Sequence, residues 1–381
     1  MKTKARVIAF YLPQYHPVDV NNKFWGKGFT EWTNVAKAKP CYKGHYQPQI
    51  PADLGFYDLR LPEVRKEQAQ MAEEAGIEGF CYWYYRFDKN TRVLEMPINE
   101  IMRLKEPDFP FCIGWANHDW SNKTWKKTKY YSKDIVFLKQ KYLGSEDYKA
   151  FFNEVLPMFQ DNRYILVDGK PLFYIFAPQD IPDTDVLIKV WNTLAKENGF
   201  PGVYFVCRVD SCGKAPVIYK KSFLEQGLTR YQHYIEKGFN AVNSYSFRRA
   251  EVLAEGYISK IIKQLKRKLT GHALNRCDYE RVMDNLYTDE DRFEYVFPTI
   301  MPRHDRTPRS GKNANLYSDS TPEKFAKAAN RAVNIVAEKN EEHRIIFLDS
   351  WNEWGEGAYM EPDIVFGYGY LEALKKVISY E

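Results

Sequence analysis

Eight short apolar segments alternate with longer segments of helical periodicity along almost the whole chain. The apolar segments are rich in β-branched and aromatic residues, which predicts strands at Arg6–Leu12, Ile77–Tyr84, Phe109–Ala116, Pro171–Ala177, Val203–Val209, Ala241–Ser246, Tyr295–Met301 and Arg344–Asp349. The helical periodicity predicts helices at Pro62–Ala75, Tyr148–Phe159, Val186–Asn198, Ser222–Lys237, Pro322–Lys339 and Tyr370–Ser379. Strand and helix therefore alternate throughout, as they do in proteins built from βα units.

This alternation favours a single (β/α)8 TIM barrel over an open doubly wound sheet. An open sheet usually has fewer strands and a glycine-rich phosphate-binding turn after the first one, and no GxGxxG motif follows Arg6–Leu12. A chain of 381 residues fits one such domain, spanning 1–381, because barrels with long insertions reach this length. The long loops follow strand 1 (Pro13–Leu61) and strand 6 (Phe247–Glu294), and a basic helical segment is inserted at about 248–290.

Composition and the ends of the chain exclude several classes of protein. The net charge of +5 is the small difference between 55 basic and 50 acidic residues, so we expect no nucleic-acid partner. The six cysteines are scattered without a Cys/His cluster, so we expect reduced thiols and neither a metal nor a cofactor. The chain starts with a basic hexapeptide and the apolar run Val7–Leu12, which is too short for a secretion signal. No apolar run is long enough to span a bilayer, and we therefore expect a cytoplasmic protein.

Aromatic and polar side chains are concentrated where the predicted strands end. In a barrel of this type the active site lies at the carboxyl ends of the strands, and aromatic rings beside amides and acids suit a polyol substrate. The aromatic share of 16% is high enough to supply several such rings. The substrate-binding candidates are Tyr11, Tyr15, His16, Trp32, Trp83, Tyr84, Trp115, Asn117, Tyr245, Asn352 and Trp354. We expect Trp83, Trp115 and Tyr245 in particular to line a sugar-binding cleft; the alternative is an ordinary polar barrel rim.

Two glutamates in the segment 351–357, Glu353 and Glu356, are the catalytic candidates. If the segment turns helically after the last strand, side chains three residues apart share a face, with Cβ atoms about 5–6 Å apart. Retaining glycosidases hold one protonated and one ionised carboxyl roughly 5–5.5 Å apart. The flanking Trp351 and Trp354 supply apolar surroundings that raise the pKa of one carboxyl. The alternative is a pair of surface glutamates in a loop.

The stretch Lys260–Arg276 is the one basic patch in the sequence. Ile261, Ile262, Leu265 and Leu269 fall at helical spacing there, and basic residues occupy much of the remaining surface. One interpretation is a solvated helix face on the barrel. The other is contact with an anionic membrane surface or an anionic polymer.

The segment 351–357 resembles the corresponding motif of glycoside hydrolase family 99, the endo-α-mannosidase type, and of the related WbsX proteins found in bacterial polysaccharide loci. The resemblance to WbsX spans nearly the whole chain. Its motifs lie at 9–16 (AFYLPQYH), 28–34 (GFTEWTN), 54–60 (LGFYDLR) and 115–117 (WAN). The sequence departs from typical family 99 enzymes at Gly355, where those enzymes carry a histidine.

The resemblance implies a (β/α)8 barrel and a retaining reaction on α-mannoside-like substrates, in which the sugar's own 2-hydroxyl attacks its anomeric carbon. It also implies that Glu353 is the base that activates this hydroxyl. Glu356 is then the acid that protonates the leaving oxygen and later the base for water. The partner is an oligosaccharide or polysaccharide, free or lipid-linked. We consider a hydrolase or transglycosylase first, a glycosyltransferase of O-antigen or capsule synthesis second, and a non-catalytic carbohydrate-binding barrel third.

Overall fold

The structure is a computed structural model that describes residues 3–122, 134–210, 227–272 and 274–380. Within these residues, eight parallel strands form one closed barrel, which confirms the predicted (β/α)8 fold. The strands are β1 (Arg6–Tyr11), β2 (Gly79–Asp88), β3 (Phe111–Trp115), β4 (Lys170–Ile175), β5 (Tyr204–Asp210), β6 (Ala241–Tyr245), β7 (Val296–Ile300) and β8 (Ile345–Leu348). Neighbours along the chain pair in order, and β1 closes the barrel because Ile8 pairs with both Gly79 and Phe347.

The predicted strands agree with the observed ones, with the largest difference at the end of β2. This strand continues to Asp88 because its last residues leave the barrel and pair antiparallel with the short strand Thr91–Val93. Continuous burial, as in Ile345–Leu348, matches the expectation for parallel strands covered on both faces.

Helices surround the barrel and fill the long connections. They are α1 (Asp19–Trp25), α2 (Glu31–Ala36), α3 (Pro62–Glu74), α4 (Met96–Leu104), α5 (Ser145–Phe159), α6 (Thr184–Glu197), α7 (Gly227–Glu236), α8 (Phe247–Glu255), α9 (Tyr257–Thr270), α10 (Tyr279–Asp284), α11 (Thr307–Ser310), α12 (Pro322–Val336) and α13 (Gly369–Ile378). The first residues of the predicted helix Ser222–Lys237 lie outside the described residues. Within the described part of the chain, no helix is both long and apolar enough to cross a membrane.

Short elements complete the connections. The additional strands are Trp120–Ser121, Val136–Leu138, Leu166–Val167, Asn275–Asp278, His304–Asp305, Asn315–Ser318, Asn352–Glu353 and Ala358–Tyr359. Single 3-10 turns occur at Pro178–Asp180, Asp289–Arg292, Gly311–Asn313, Glu341–His343 and Trp354–Glu356.

The barrel interior is closed by stacked aromatic rings rather than left as a pore. Phe10 stacks on Trp83 with ring centroids 4.6 Å apart and on Phe347 with centroids 5.2 Å apart. Tyr174 meets Phe10 edge to face and donates its hydroxyl to Asn243 at 2.8 Å, so this buried hydroxyl is paired. These rings form a rigid floor on which side chains at the strand ends rest.

The two long loops have their own secondary structure. The connection after β1 carries α1 and α2, and the connection after β6 carries α8, α9 and α10. Helices α8 and α10 bury Phe247, Ala250 and Val282 in a small core separate from the barrel core. The strand Asn275–Asp278 pairs with Asn315–Ser318, which follows β7, and attaches this connection to the rim.

Candidate active site

A cavity of about 730 Å³ opens at the carboxyl ends of the strands. The aromatic floor contributes Phe10, Trp83 and Tyr174 to it, and the loop after β8 contributes Glu353 and Glu356. A site of this volume that combines aromatic surfaces with a few charged groups has the general properties of a small-molecule or glycan pocket.

The loop after β8 is fixed to the end of β1. Asn352 accepts from the amide of Leu12 at 2.7 Å and donates to its carbonyl at 3.1 Å. The backbone then forms a 3-10 turn at Trp354–Glu356, which is the helical turn needed to place Glu353 and Glu356 on one side. Gly357 ends the turn with φ +58°, and a Cβ atom there would lie 2.8 Å from the backbone of Asp305.

One guanidinium, that of Arg309, binds three carboxylates. Its Nε donates to Glu31 and its Nη2 to Glu353, each at 2.7 Å, and its Nη1 donates to Glu356 at 2.5 Å. Glu31 is completely buried at the start of α2 and also accepts from the side chain of Gln14. Because arginine presents its donors in a planar fork, this single side chain fixes the relative positions of the two candidate catalytic carboxylates.

Gly355 is required by the same cluster. A Cβ atom at this position would lie 1.6 Å from Oε1 of Glu31 and 2.8 Å from Nε of Arg309. The ion pair therefore occupies the space that any side chain at 355 would need.

The two carboxyl groups have different protonation equilibria. Burial raises the pKa of Glu353 to about 8; Arg309 opposes this shift, while the negative charges of Glu356 and Glu31 add to it. Burial also disfavours ionised Glu356, but Arg306 and Arg309 outweigh burial and hold its pKa at about 2. Glu356 receives two guanidiniums, at 3.3 Å from Arg306 and 2.5 Å from Arg309, whereas Glu353 receives one. These opposite shifts favour protonated Glu353 beside ionised Glu356 at neutral pH.

A second polar cluster lines the cavity. The hydroxyl of Tyr245 donates to Asp349 at 2.6 Å, and the guanidinium carbon of Arg208 lies 3.6 Å from the centre of the Tyr245 ring. Burial raises the pKa of Asp349. These three residues follow or end strands β5, β6 and β8, and they give the cavity hydrogen-bonding groups beside its aromatic rings.

The structure brings only part of the predicted substrate-binding set to the cavity. Trp83 and Tyr245 line it, together with Glu353 and Glu356. The other nine candidates are not among the residues that line it: Tyr11, Tyr15, His16, Trp32, Tyr84, Trp115, Asn117, Asn352 and Trp354.

The alternation of side chains along a strand explains why Tyr84 and Trp115 lie away from the cavity. Successive side chains of a strand point to opposite faces, so Trp83 and Tyr85 face the cavity while Tyr84 faces the helices and donates to Glu154. Trp115 likewise packs against Phe151 of α5 and donates to the carbonyl of Arg86 at 2.9 Å. Of the three residues expected to line the cleft, Trp83 and Tyr245 therefore lie at this cavity and Trp115 lies behind the strand.

Other predicted substrate-binding residues that do not line the cavity are buried and bonded within the protein. Tyr11 donates to Gln68, Asn117 accepts from the amide of Ala177, and His16 is buried, which lowers its pKa to about 4. Asn352 binds the backbone of Leu12 after β1, as described above. None of these side chains is directed at the cavity.

A layer behind the carboxylates contains Tyr15, Trp32 and Trp354. The hydroxyl of Tyr15 donates to the carbonyl of Asn352, and Trp32 packs on Trp354 with ring centroids 5.4 Å apart. The indole of Trp354 donates to the buried carboxyl of Glu361. This layer supports the turn that carries Glu353 and Glu356 without contacting the cavity.

Sequence reasoning missed Arg309, Arg306 and Glu31. Glu31 lies in the 28–34 motif, which could have identified it. Arg309 lies in α11 and Arg306 directly precedes this helix, and neither belongs to a recognised motif. Glu31 and Arg309 are 278 positions apart in the chain, so only the closed barrel reveals their contact. The Asp183-Thr184-Asp185 triplet, which mimics a nucleotide-sugar motif, lies at the start of α6 and does not line the cavity.

Comparison with known proteins gives one family and one fold. The sequence profile of a family described as Glycosyltransferase WbsX matches residues 7–374. Two strains of Xanthomonas campestris pv. campestris have a protein described as uncharacterized protein WxcX, 31% identical over 376 residues, which cover 98% of this chain and 50% of that protein. The chain thus spans about half the length of the curated relatives it matches.

Solved structures share the barrel. A glycoside hydrolase-like protein superposes with a TM-score of 0.62 at 15% identity, covering 100% of this chain and 95% of its own. The GH99 endo-alpha-mannosidase of Bacteroides thetaiotaomicron, solved with Bis-Tris-propane, superposes with a TM-score of 0.50 at 15% identity, covering 99% of this chain and 96% of its own. At this level of identity the likeness concerns the fold alone.

Proposed function

We propose, since the chain belongs to the WbsX family, that it is a carbohydrate-active enzyme whose Glu353 and Glu356 carry out acid–base chemistry on a glycosidic bond. The substrate class we propose is an α-linked, mannoside-like oligosaccharide or polysaccharide. The reaction we place first is hydrolysis or transglycosylation with retention of configuration.

The observation that carries this proposal is that Glu353, just before the 3-10 turn at the cavity, and Glu356, at its end, both bind the guanidinium of Arg309 and have pKa values shifted in opposite directions. Glycosidic bond cleavage needs one group that donates a proton and another that accepts one. A preorganised pair with separated pKa values meets this requirement at neutral pH.

In the reaction that we propose, the substrate's 2-hydroxyl loses its proton to Glu353 and its oxygen attacks the anomeric carbon. The bond to the leaving oxygen breaks, and that oxygen takes a proton from Glu356, which leaves a 1,2-anhydro sugar. Water then attacks the anomeric carbon and gives a proton to Glu356. The bond between the anomeric carbon and O2 breaks, and O2 takes back the proton held by Glu353. Exposure suits these roles: the side chain of Glu356, which must meet the leaving group and water, is 26% exposed and that of Glu353 is 13% exposed.

The pKa shifts of the two carboxyls favour the reverse division of labour. Burial raises the pKa of Glu353, which favours its protonated form, whereas Arg306 and Arg309 favour ionised Glu356. In the roles above, substrate must therefore displace a guanidinium from Glu356 before the acid forms. In the reverse roles, Glu353 is the acid from the start.

Paired variants and two leaving groups distinguish the assignments. We expect Glu353→Gln and Glu356→Gln each to reduce turnover of α-mannosides by about 10²–10⁴-fold, the usual cost of losing a general acid or base. An aryl leaving group of low pKa needs little protonation, so the variant that lacks the acid should recover most of its activity on that substrate. Recovery in Glu356→Gln supports our assignment, and recovery in Glu353→Gln supports the reverse. Near-normal turnover of both variants contradicts the catalytic proposal.

The family description favours a second candidate, glycosyl transfer. Incubation with lipid-linked oligosaccharides and a labelled acceptor would then yield a lengthened or transferred glycan rather than a free sugar. Saturable glycan binding without either product would indicate the third candidate, a non-catalytic carbohydrate-binding barrel.

A further inference from the structure

Helix α9 exposes its apolar face to solvent. Ile258 is 73% exposed, Ile262 59%, Leu265 53% and Leu269 86%. Their spacing places these side chains within one arc of roughly 60° along the helix, so they form a continuous stripe. A surface helix normally buries such a stripe against its own protein, and here the stripe has no covering element among the described residues.

The opposite side of α9 holds the helix to the protein through polar contacts. Lys263 forms an ion pair with Glu255 of α8 and donates to Asn275 at 2.9 Å. Arg267, one turn further on, contributes to the wall of the active-site cavity. The helix is thus anchored by its charged side, and its apolar side faces away from the anchor.

The charge of α9 indicates what covers this stripe. The helix contains four lysines and one arginine and no acidic residue. Lys266 and Lys268 are exposed, and helical geometry places them about 80° to either side of the stripe. Apolar residues flanked by basic ones are typical of helices that lie in the interface of an anionic bilayer. A protein partner that covered the stripe would also meet the positive charges of Lys266 and Lys268. It would therefore need acidic residues opposite them.

We propose that α9 is an interfacial helix that inserts Ile258, Ile262, Leu265 and Leu269 into an anionic lipid surface. Because Arg267 belongs to the cavity wall, this binding holds the active-site cavity beside the bilayer. The binding itself does not depend on the carboxylate chemistry. Its consequence, that the substrate is a glycan attached to a membrane lipid, rests on the proposed function.

Co-flotation with vesicles tests the membrane contact. We expect the 381-residue chain to float with phosphatidylcholine–phosphatidylglycerol vesicles at low ionic strength and to float far less with phosphatidylcholine alone. Replacing Ile262 and Leu265 together by glutamine should weaken partitioning at least about tenfold. Lys266→Gln with Lys268→Gln should weaken it about 25-fold, from about fivefold per basic residue.

Matched control variants lie elsewhere on the surface. Ile364→Gln with Leu143→Gln removes side chains that are 59% and 54% exposed, and Lys375→Gln with Lys376→Gln removes an adjacent exposed pair from α13. The controls should float like the parent chain, as should Glu353→Gln, which separates this test from the catalytic one. Circular dichroism verifies that each variant is folded.

Several results would overturn the proposal. They include the absence of flotation, equal binding to neutral vesicles, equal losses in the control variants, and binding to a soluble anionic polymer but not to vesicles. A dimer in sedimentation experiments that becomes a monomer in the Ile262/Leu265 variant would also overturn it, because a second copy would then cover the stripe.

Discussion

Replacement of Arg309 by methionine is the most direct test of how the carboxylate cluster is held. The variant removes the guanidinium shared by Glu31, Glu353 and Glu356 and leaves an unbranched side chain of similar length. Arg306, at 3.3 Å from Glu356, then remains as a guanidinium beside the cluster. Removal of one partner from a buried ion pair typically costs about 3–5 kcal/mol, because the other charge stays buried without compensation.

The loss should depend on pH, and its sign follows from the carboxyl pKa values. A unit charge about 4 Å away at an effective dielectric constant of about 20 contributes about 4 kcal/mol, or about 3 pKa units. Without Arg309, the pKa of Glu356 should rise from about 2 to the ordinary carboxyl range or above, and that of Glu353 should rise beyond about 8. A carboxyl whose pKa is higher in the folded than in the unfolded protein makes the folded state less stable as pH rises. The variant should therefore be least stable in alkaline solution and recover as the pH falls.

Thermal unfolding at two pH values measures this effect. For 381 residues the entropy of unfolding is about 0.8 kcal/mol per kelvin, so 3–5 kcal/mol lowers the melting temperature by about 4–6 °C. We expect this deficit near pH 8 and roughly half of it near pH 5. Arg303→Met is the matched control, because Arg303 is also buried but binds one carboxylate, that of Asp363. Equal deficits of Arg309→Met at both pH values, or no deficit, would refute the shared-guanidinium explanation.

Three further changes test the site. Gly355→Ala should reduce kcat/KM about 10²-fold, because its Cβ must displace Glu31, which lies 1.6 Å away; unchanged kinetics would contradict the tight packing. Trp83→Leu should weaken glycan binding about tenfold in calorimetric titrations while leaving the barrel folded, since the ring lines the cavity. The parent chain should lose stability as pH rises from the ordinary carboxyl range through about 8, because Glu353 then ionises in its buried position. Glu353→Gln should remove this part of the loss, which melting curves across pH would detect.

The positions of the strands could be predicted because the signals that specify them are local. A continuous run such as Ile345–Leu348 is recognisable wherever it occurs, and eight of them separated by helical periodicity leave few architectures other than a barrel. The proximity of Glu353 and Glu356 is local too, since they are only three positions apart in the chain. Their placement at the cavity follows from the position of the turn after the last strand.

The sequence by itself therefore determined the barrel and the carboxylate pair, whereas the tertiary structure decided which other side chains meet them. Trp83 and Trp115 look alike at strand ends, but the register of each strand directs the first to the cavity and the second to α5. Arg309 carries no motif, and its contact with Glu31 spans 278 positions. Closure of the barrel brings such distant residues together, and their charges then act with burial to shift the pKa values of the pair, because Coulomb interactions depend on separation in space and not along the chain.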